Sequence, residues 1–173
     1  MKYNIFEYDT KNIIYVNLSI NFGTDNENSE EMEYAHIIEH LFCFFTSKKY
    51  PNYKQVHQEF NKLGITYAAE THSYVTKYIF TTHKDNLKFL LDVLFETINN
   101  FQIDKSIFEQ EKNSVIIELK NFMQSPDYLL NIKICELFFP NHSRSIPLSK
   151  RIKHTKDSTT KDIKKFFNKH YKS

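Results

Sequence analysis

The sequence predicts an α+β fold, a mostly antiparallel sheet with helices packed on one face. Two patterns lead there. Residues 12–22 carry apolar side chains at 14, 16, 18, 20 and 22, the period-two alternation of a half-buried strand. Further on, apolar residues recur at helical spacing, most cleanly at Leu87, Leu90, Leu91, Leu94, Phe95 and Ile98. Strands come early and helices dominate later.

Taken in order, a short strand at about 2–7 pairs with 12–22 across the turn Asp9-Thr10-Lys11-Asn12. Gly23 to Ser29 is a polar loop. Asn28 or Ser29 is the expected cap of a helix reaching about Phe45, with Glu30, Glu31 and Glu33 in its first turns, where the helix dipole favours acids. After the turn at Pro51, Asn52 caps a helix through Leu63 that Gly64 stops. Strands follow at 65–71 and 73–82, the second rich in β-formers from Tyr74 to Thr81. Helices are expected at 84–98, 104–124 and 127–138, with Pro126 between the last two. Residues 139–157, around Pro140 and Pro147, read as irregular. Ser158 or Thr159 then caps a final helix to about His170, with Ile163, Phe166 and Phe167 inward.

No repeat, low-complexity tract or Pro/Gly-rich linker divides the 173 residues, so residues 1–173 read as a single domain. Sixteen Phe and 11 Tyr supply bulky core material. A net charge of +2 does not point to nucleic acid or an anionic membrane. The two cysteines, Cys43 and Cys135, lack a CxxC spacing, which suggests free thiols in a reducing compartment. No secretory signal stands at Met1-Lys2-Tyr3, and the apolar run Leu41 to Phe45 is far too short for a bilayer, so the expectation is a cytoplasmic protein. Gly23 and Gly64 stand alone, which argues against a Gly-rich phosphate loop.

The chemistry gathers in Ala35-His36-Ile37-Ile38-Glu39-His40-Leu41-Phe42. On a helix, His36 and His40 stack on one face with Glu39 beside them. Two imidazoles can then grip one metal ion while the carboxylate reaches a water on it. This is H-x-x-E-H, the reverse of the commoner H-E-x-x-H zinc helix. A helix with a few solvated polar residues would read the same way. A catalytic zinc needs a third protein ligand. Helix 104–124 offers Glu109, Glu111 and Glu118, of which Glu111 and Glu118 are seven apart and share a face. Glu118 follows the apolar run Val115-Ile116-Ile117, which favours an inward carboxylate in need of a partner, although all three acids facing solvent is the plain alternative.

With these residues the chain resembles the N-terminal part of the insulinase/pitrilysin family of inverted-motif zinc peptidases. Glu118 follows His40 by 78 residues, with Glu111 at the earlier position of an E-(six residues)-E helix. Gly23, Thr46, Leu63-Gly64, Ala68-Ala69-Glu70-Thr71, Ser125-Pro126, the helix starting Thr159-Thr160-Lys161-Asp162 and Tyr171 fall in the family's order. The resemblance implies zinc held by His36, His40 and Glu118. It makes Glu39 the general base and Glu111 a carboxylate that orients a ligand. A peptide substrate would add as a strand along Ala68, Ala69, Glu70 and Thr71. Glu33 and Tyr34 replace a small residue usual before the motif, Phe45 replaces a Gly, and Ala68 replaces an Asn. Family chains usually have two related domains, the second contributing an Arg and a Tyr that stabilise the tetrahedral intermediate.

The function implied is a zinc-dependent endopeptidase subunit that cleaves small or unstructured peptides and is completed by a second subunit. The alternatives are a non-catalytic zinc- or peptide-binding scaffold subunit of a heteromeric peptidase, and a zinc hydrolase acting on a small molecule. His57, His72, His83, His142, His154 and His170 lack metal spacing, though His72 lies on the substrate edge. Cys43, amid Phe42, Phe44 and Phe45, reads as core, and no serine sits in a G-x-S-x-G setting.

Overall fold

Period-two apolar alternation has to leave one sheet face dry, and here that face is covered by helices. The computed structural model describes residues 11–140 and 142–172. Among the described residues three antiparallel strands, β1 (Ile13–Ile20), β2 (Thr66–Thr71) and β3 (Thr76–His83), lie in the order β1-β3-β2. The central strand β3 buries Thr76, Tyr78, Phe80 and Thr82, every second residue, against the helices. The register pairs Leu18 with Tyr78 and Val16 with Phe80 on β1, and Ala69 with Tyr78 on β2. The strand expected at 2–7 lies outside the described residues. Lys11 and Asn12, from the turn expected after it, hold positive φ of 51° and 74°.

Among the described residues there are seven α-helices: α1 (Tyr34–Phe42), α2 (Tyr53–Leu63), α3 (Leu87–Asn100), α4 (Lys105–Phe122), α5 (Pro126–Phe138), α6 (Leu148–Asp157) and α7 (Thr160–His170). This is the expected α+β arrangement. Asn52 caps α2 by accepting a hydrogen bond from the Lys54 N–H, and Gly64 ends it at φ 66°. Asp104 caps α4 through the Ser106 and Ile107 N–H groups. Thr159 and Asp162 cap α7 reciprocally. Gly23 is required for a different reason: a Cβ there would stand 2.1 Å from the His72 carbonyl oxygen, where the Thr24 N–H bonds to the 72–73 turn.

Three expectations are corrected. The cap of α1 is neither Asn28 nor Ser29. Asn28 instead accepts the Glu30 N–H, and α1 begins only at Tyr34, with Glu33 at φ 67° before it. Glu30, Glu31 and Glu33 therefore precede the helix. Its N–H groups at Glu33 and Ala35 go to the carboxylate of Glu27, at 2.9 and 2.7 Å. Second, α1 stops at Phe42 rather than Phe45: Phe45 turns to φ 52° and sends its fully buried ring against Phe60 and Phe80. Third, residues 148–157 are helical. Leu148, Ile152 and Thr155, at helical spacing, are buried, and α6 packs on α4.

The core is one continuous cluster running from β3 through α1 to α7. Phe42 sits at its centre, its ring 4.4 Å from Tyr78 and within 6.5 Å of Phe101, Phe167 and Tyr171. With Ala35, Ile37, Ile38, Leu41 and Phe42 buried beneath it, α1 is fixed in rotation, and the opposite face carries the motif. No described helix is long and apolar enough to cross a membrane.

Candidate metal centre

Anchoring α1 by its apolar side leaves His36, Glu39 and His40 half-buried on the other. The two imidazole centroids are 5.0 Å apart, with planes inclined at 72°. α4 crosses this face, and the seven-residue spacing of Glu111 and Glu118 brings both carboxylates to the histidines. Glu118 Oε2 lies 3.2 Å from His36 Nε2, and its Oε1 lies 3.7 Å from His40 Nε2. One ligand atom from each of His36, His40 and Glu118 falls within 4.8 Å of the others. Glu109 points elsewhere and pairs with Lys112 at 2.9 Å.

The far ring nitrogens are also engaged. His40 Nδ1 meets Glu111 Oε2 at 3.0 Å, and His36 Nδ1 meets Glu33 Oε2 at 3.1 Å. A carboxylate at Nδ1 keeps a proton there, so that Nε2 is the nitrogen each ring can offer to a metal beside Glu118. Glu33 was missed as a site residue in the sequence, where it counted as a first-turn acid and as a departure from a small residue. The available signal was its position three before His36, one turn along the same face.

Burial disfavours an imidazolium at His36, yet the carboxylates of Glu118 and Glu33 outweigh that and lift its pKa to about 10. The same contact holds the Glu118 carboxyl below the usual range, against the effect of burial. Without a cation the site is thus a cationic imidazole clamped between acids. The donor set of two imidazole nitrogens and one carboxylate is what a catalytic zinc takes, with a fourth position left for water. The residues fit such an ion.

Glu39 is half-buried, and no hydrogen bond or ion pair among the described residues involves it. Its charge acts on the neighbouring His36 imidazole. Contrary to expectation, the apolar run does not turn Glu118 inward: its side chain is 44% exposed, and Ile117 is exposed as well. Helix register, not burial, brings Glu118 to the site.

Ala68, Ala69, Glu70 and Thr71 all lie on β2. Among the described residues β2 pairs only with β3, so its other edge is open, and α1 packs beside it. His72 bonds Glu70 at the surface, at 2.9 Å. Cys43 and Cys135 are free thiols, and burial pushes the Cys43 thiol up to about 12, which fits a packing role.

Residues 3–151 match the family model described as Insulinase (Peptidase family M16), and the chain belongs to that family. It is 25% identical over 135 residues to a Bacillus subtilis protein named uncharacterized zinc protease YmxG, covering 78% of this chain and 32% of that protein. It is 22% identical over 156 residues to the Dictyostelium discoideum mitochondrial-processing peptidase subunit beta, covering 90% and 33%. The crystal structure of a protease from Helicobacter pylori superposes with a TM-score of 0.80 at 24% identity, over 92% of this chain and 38% of that one. The chain thus spans about a third of the length of the curated relatives it matches.

Proposed function

We propose that this chain is the metal-bearing part of a zinc-dependent endopeptidase acting on small or unstructured peptides. The observation that carries the reading is the convergence of one ligand atom each from His36, His40 and Glu118 within 4.8 Å, with a further carboxylate on the Nδ1 of each imidazole. Zinc, when bound, would lower the pKa of a coordinated water toward neutrality and polarise the scissile carbonyl. His36, His40 and Glu118 would hold it, and Glu111 would keep His40 in the ligating tautomer. Glu39 accepts the proton of the attacking water on a carboxylate oxygen and delivers it to the leaving amine. The open edge of β2, at Ala68 to Thr71, receives the peptide as an added strand whose backbone hydrogen bonds carry the affinity.

A second subunit or further chain completes the reaction chamber. The support for this is that the chain spans about a third of its curated relatives, one of which is itself named a subunit. Metal analysis of the purified chain tests the centre, with about one zinc per chain expected. Glu39→Gln then tests the chemistry. Cleavage of an unstructured peptide should fall by at least about a hundredfold while zinc stays bound. Unchanged cleavage would remove Glu39 as the base, and zinc-free protein that takes up none on addition would end the metal reading.

A further inference from the structure

We propose that Glu33 is a positioning residue for His36, and that Arg151 on α6 fixes Glu33 in turn. The inference rests on the proposed zinc centre. It concerns a residue outside the inverted motif and a helix, α6, that lies outside α1 and α4.

The Glu33 side chain is only 3% exposed, and its backbone sits in the left-handed region at φ 67°. Both features are unfavourable in isolation: a buried carboxylate needs compensation, and a non-glycine residue at positive φ is strained. Three contacts supply the compensation. Glu33 Oε2 meets His36 Nδ1 at 3.1 Å. Glu33 Oε1 lies 2.8 Å from Arg151 Nε, a contact of charge with charge, since the Nε–H finds no aligned acceptor. The Glu33 N–H donates to buried Glu27 Oε2 at 2.9 Å, and Glu27 Oε1 takes the Ala35 N–H next to His36.

The two carboxylate oxygens thus divide their work. One faces the metal-site imidazole and the other faces the guanidinium, so the carboxylate cannot turn without losing one of them. Fixed by both contacts, Glu33 does for His36 what Glu111 does for His40. It keeps a proton on Nδ1, so that Nε2, on the Glu118 side, is the nitrogen left to ligate a metal. Glu27 secures the turn that brings Glu33 into range.

The test is zinc affinity of the 173-residue chain by chelator competition, set beside the melting temperature of the metal-free protein. Glu33→Gly with Arg151→Met removes both buried charges together and suits the left-handed backbone, so it preserves the fold best. The double variant should bind zinc about 10- to 100-fold more weakly than wild type, the range for losing a partner behind a ligand, with a near-wild-type metal-free melting temperature. Glu33→Gln, which keeps an acceptor at Nδ1 but not the charge, should recover part of that loss. A folded double variant that binds zinc as tightly as wild type overturns the inference while leaving the zinc centre intact. A wild-type chain that binds no zinc overturns both. If the double variant does not fold, Glu33→Gln decides: a several-fold weaker zinc affinity supports the positioning role and an unchanged one overturns it.

Discussion

A protonated His36 between Glu33 and Glu118 sets how the metal-free site responds to pH. Its folded pKa of about 10 lies above the ordinary histidine value of about 6.5. Its stabilising contribution is therefore complete below about 6.5 and is lost as pH rises through about 10. Zinc must displace that proton, so apparent zinc affinity should rise with pH between about 7 and 9, approaching tenfold per unit for one proton. A zinc Kd that stays flat over this range would show that His36 is already neutral. Glu27 acts on stability in the same direction. Burial, reinforced by the charge of Glu33, raises its carboxyl to about 8, so the fold loses stability as pH climbs from about 4.5 through 8. In Glu27→Gln the denaturation midpoint should vary less over that window, and an unaltered slope would assign the loss to another group. Glu27 was beyond a sequence reading because a cap is sought next to its helix, and this one acts from eight residues upstream of Ala35.

The elements recovered from sequence are those whose signals are local. Asn52 with Gly64, and Thr159 with Asp162, bracket or open their helices within a few residues, and α2 and α7 begin where those caps predict. α6 was missed because Lys150, Arg151, Lys153 and Lys156 mask a buried face of only Leu148, Ile152 and Thr155, and Pro147 reads as a breaker although it stands just before the first turn. Its face becomes visible only when α4 is there to cover it. The site divides the same way. His36, Glu39 and His40 share one helix, whereas Glu118 reaches them through the fold, and only its spacing from Glu111 foretold their common face. Local caps have local costs. Asn52→Ala and Thr159→Ala should each lower stability by about 1 kcal/mol in urea denaturation without changing zinc content, since neither side chain approaches the histidines. A loss of zinc in either variant would mean that α2 or α7 supports the centre more closely than its contacts indicate.

At the scale of the molecule, one core holds α1 rigidly while the face bearing Glu118 continues into uncovered apolar surface. Ile117, Phe122 and Met123 at the end of α4, and Leu129, Leu130, Ile134, Leu137 and Phe138 on α5, are all more than a third exposed. α5 buries no residue fully, although Leu130, Ile134, Leu137 and Phe138 form a stripe at helical spacing. A contiguous exposed apolar stripe is unusual on a soluble monomer and favours association. The isolated chain should therefore bind a hydrophobic dye such as ANS and sediment as a concentration-dependent mixture. Leu137→Glu with Phe138→Glu, both more than two-thirds exposed, breaks the stripe without opening the core. That variant should lose most of the dye signal and sediment as a monomer, with zinc content and metal-free melting temperature unchanged because neither side chain touches the histidine face. Dye binding that persists in a monodisperse variant would place the accessible apolar surface elsewhere, and loss of zinc would mean that α5 braces α4 beneath Glu118 rather than merely extending from it.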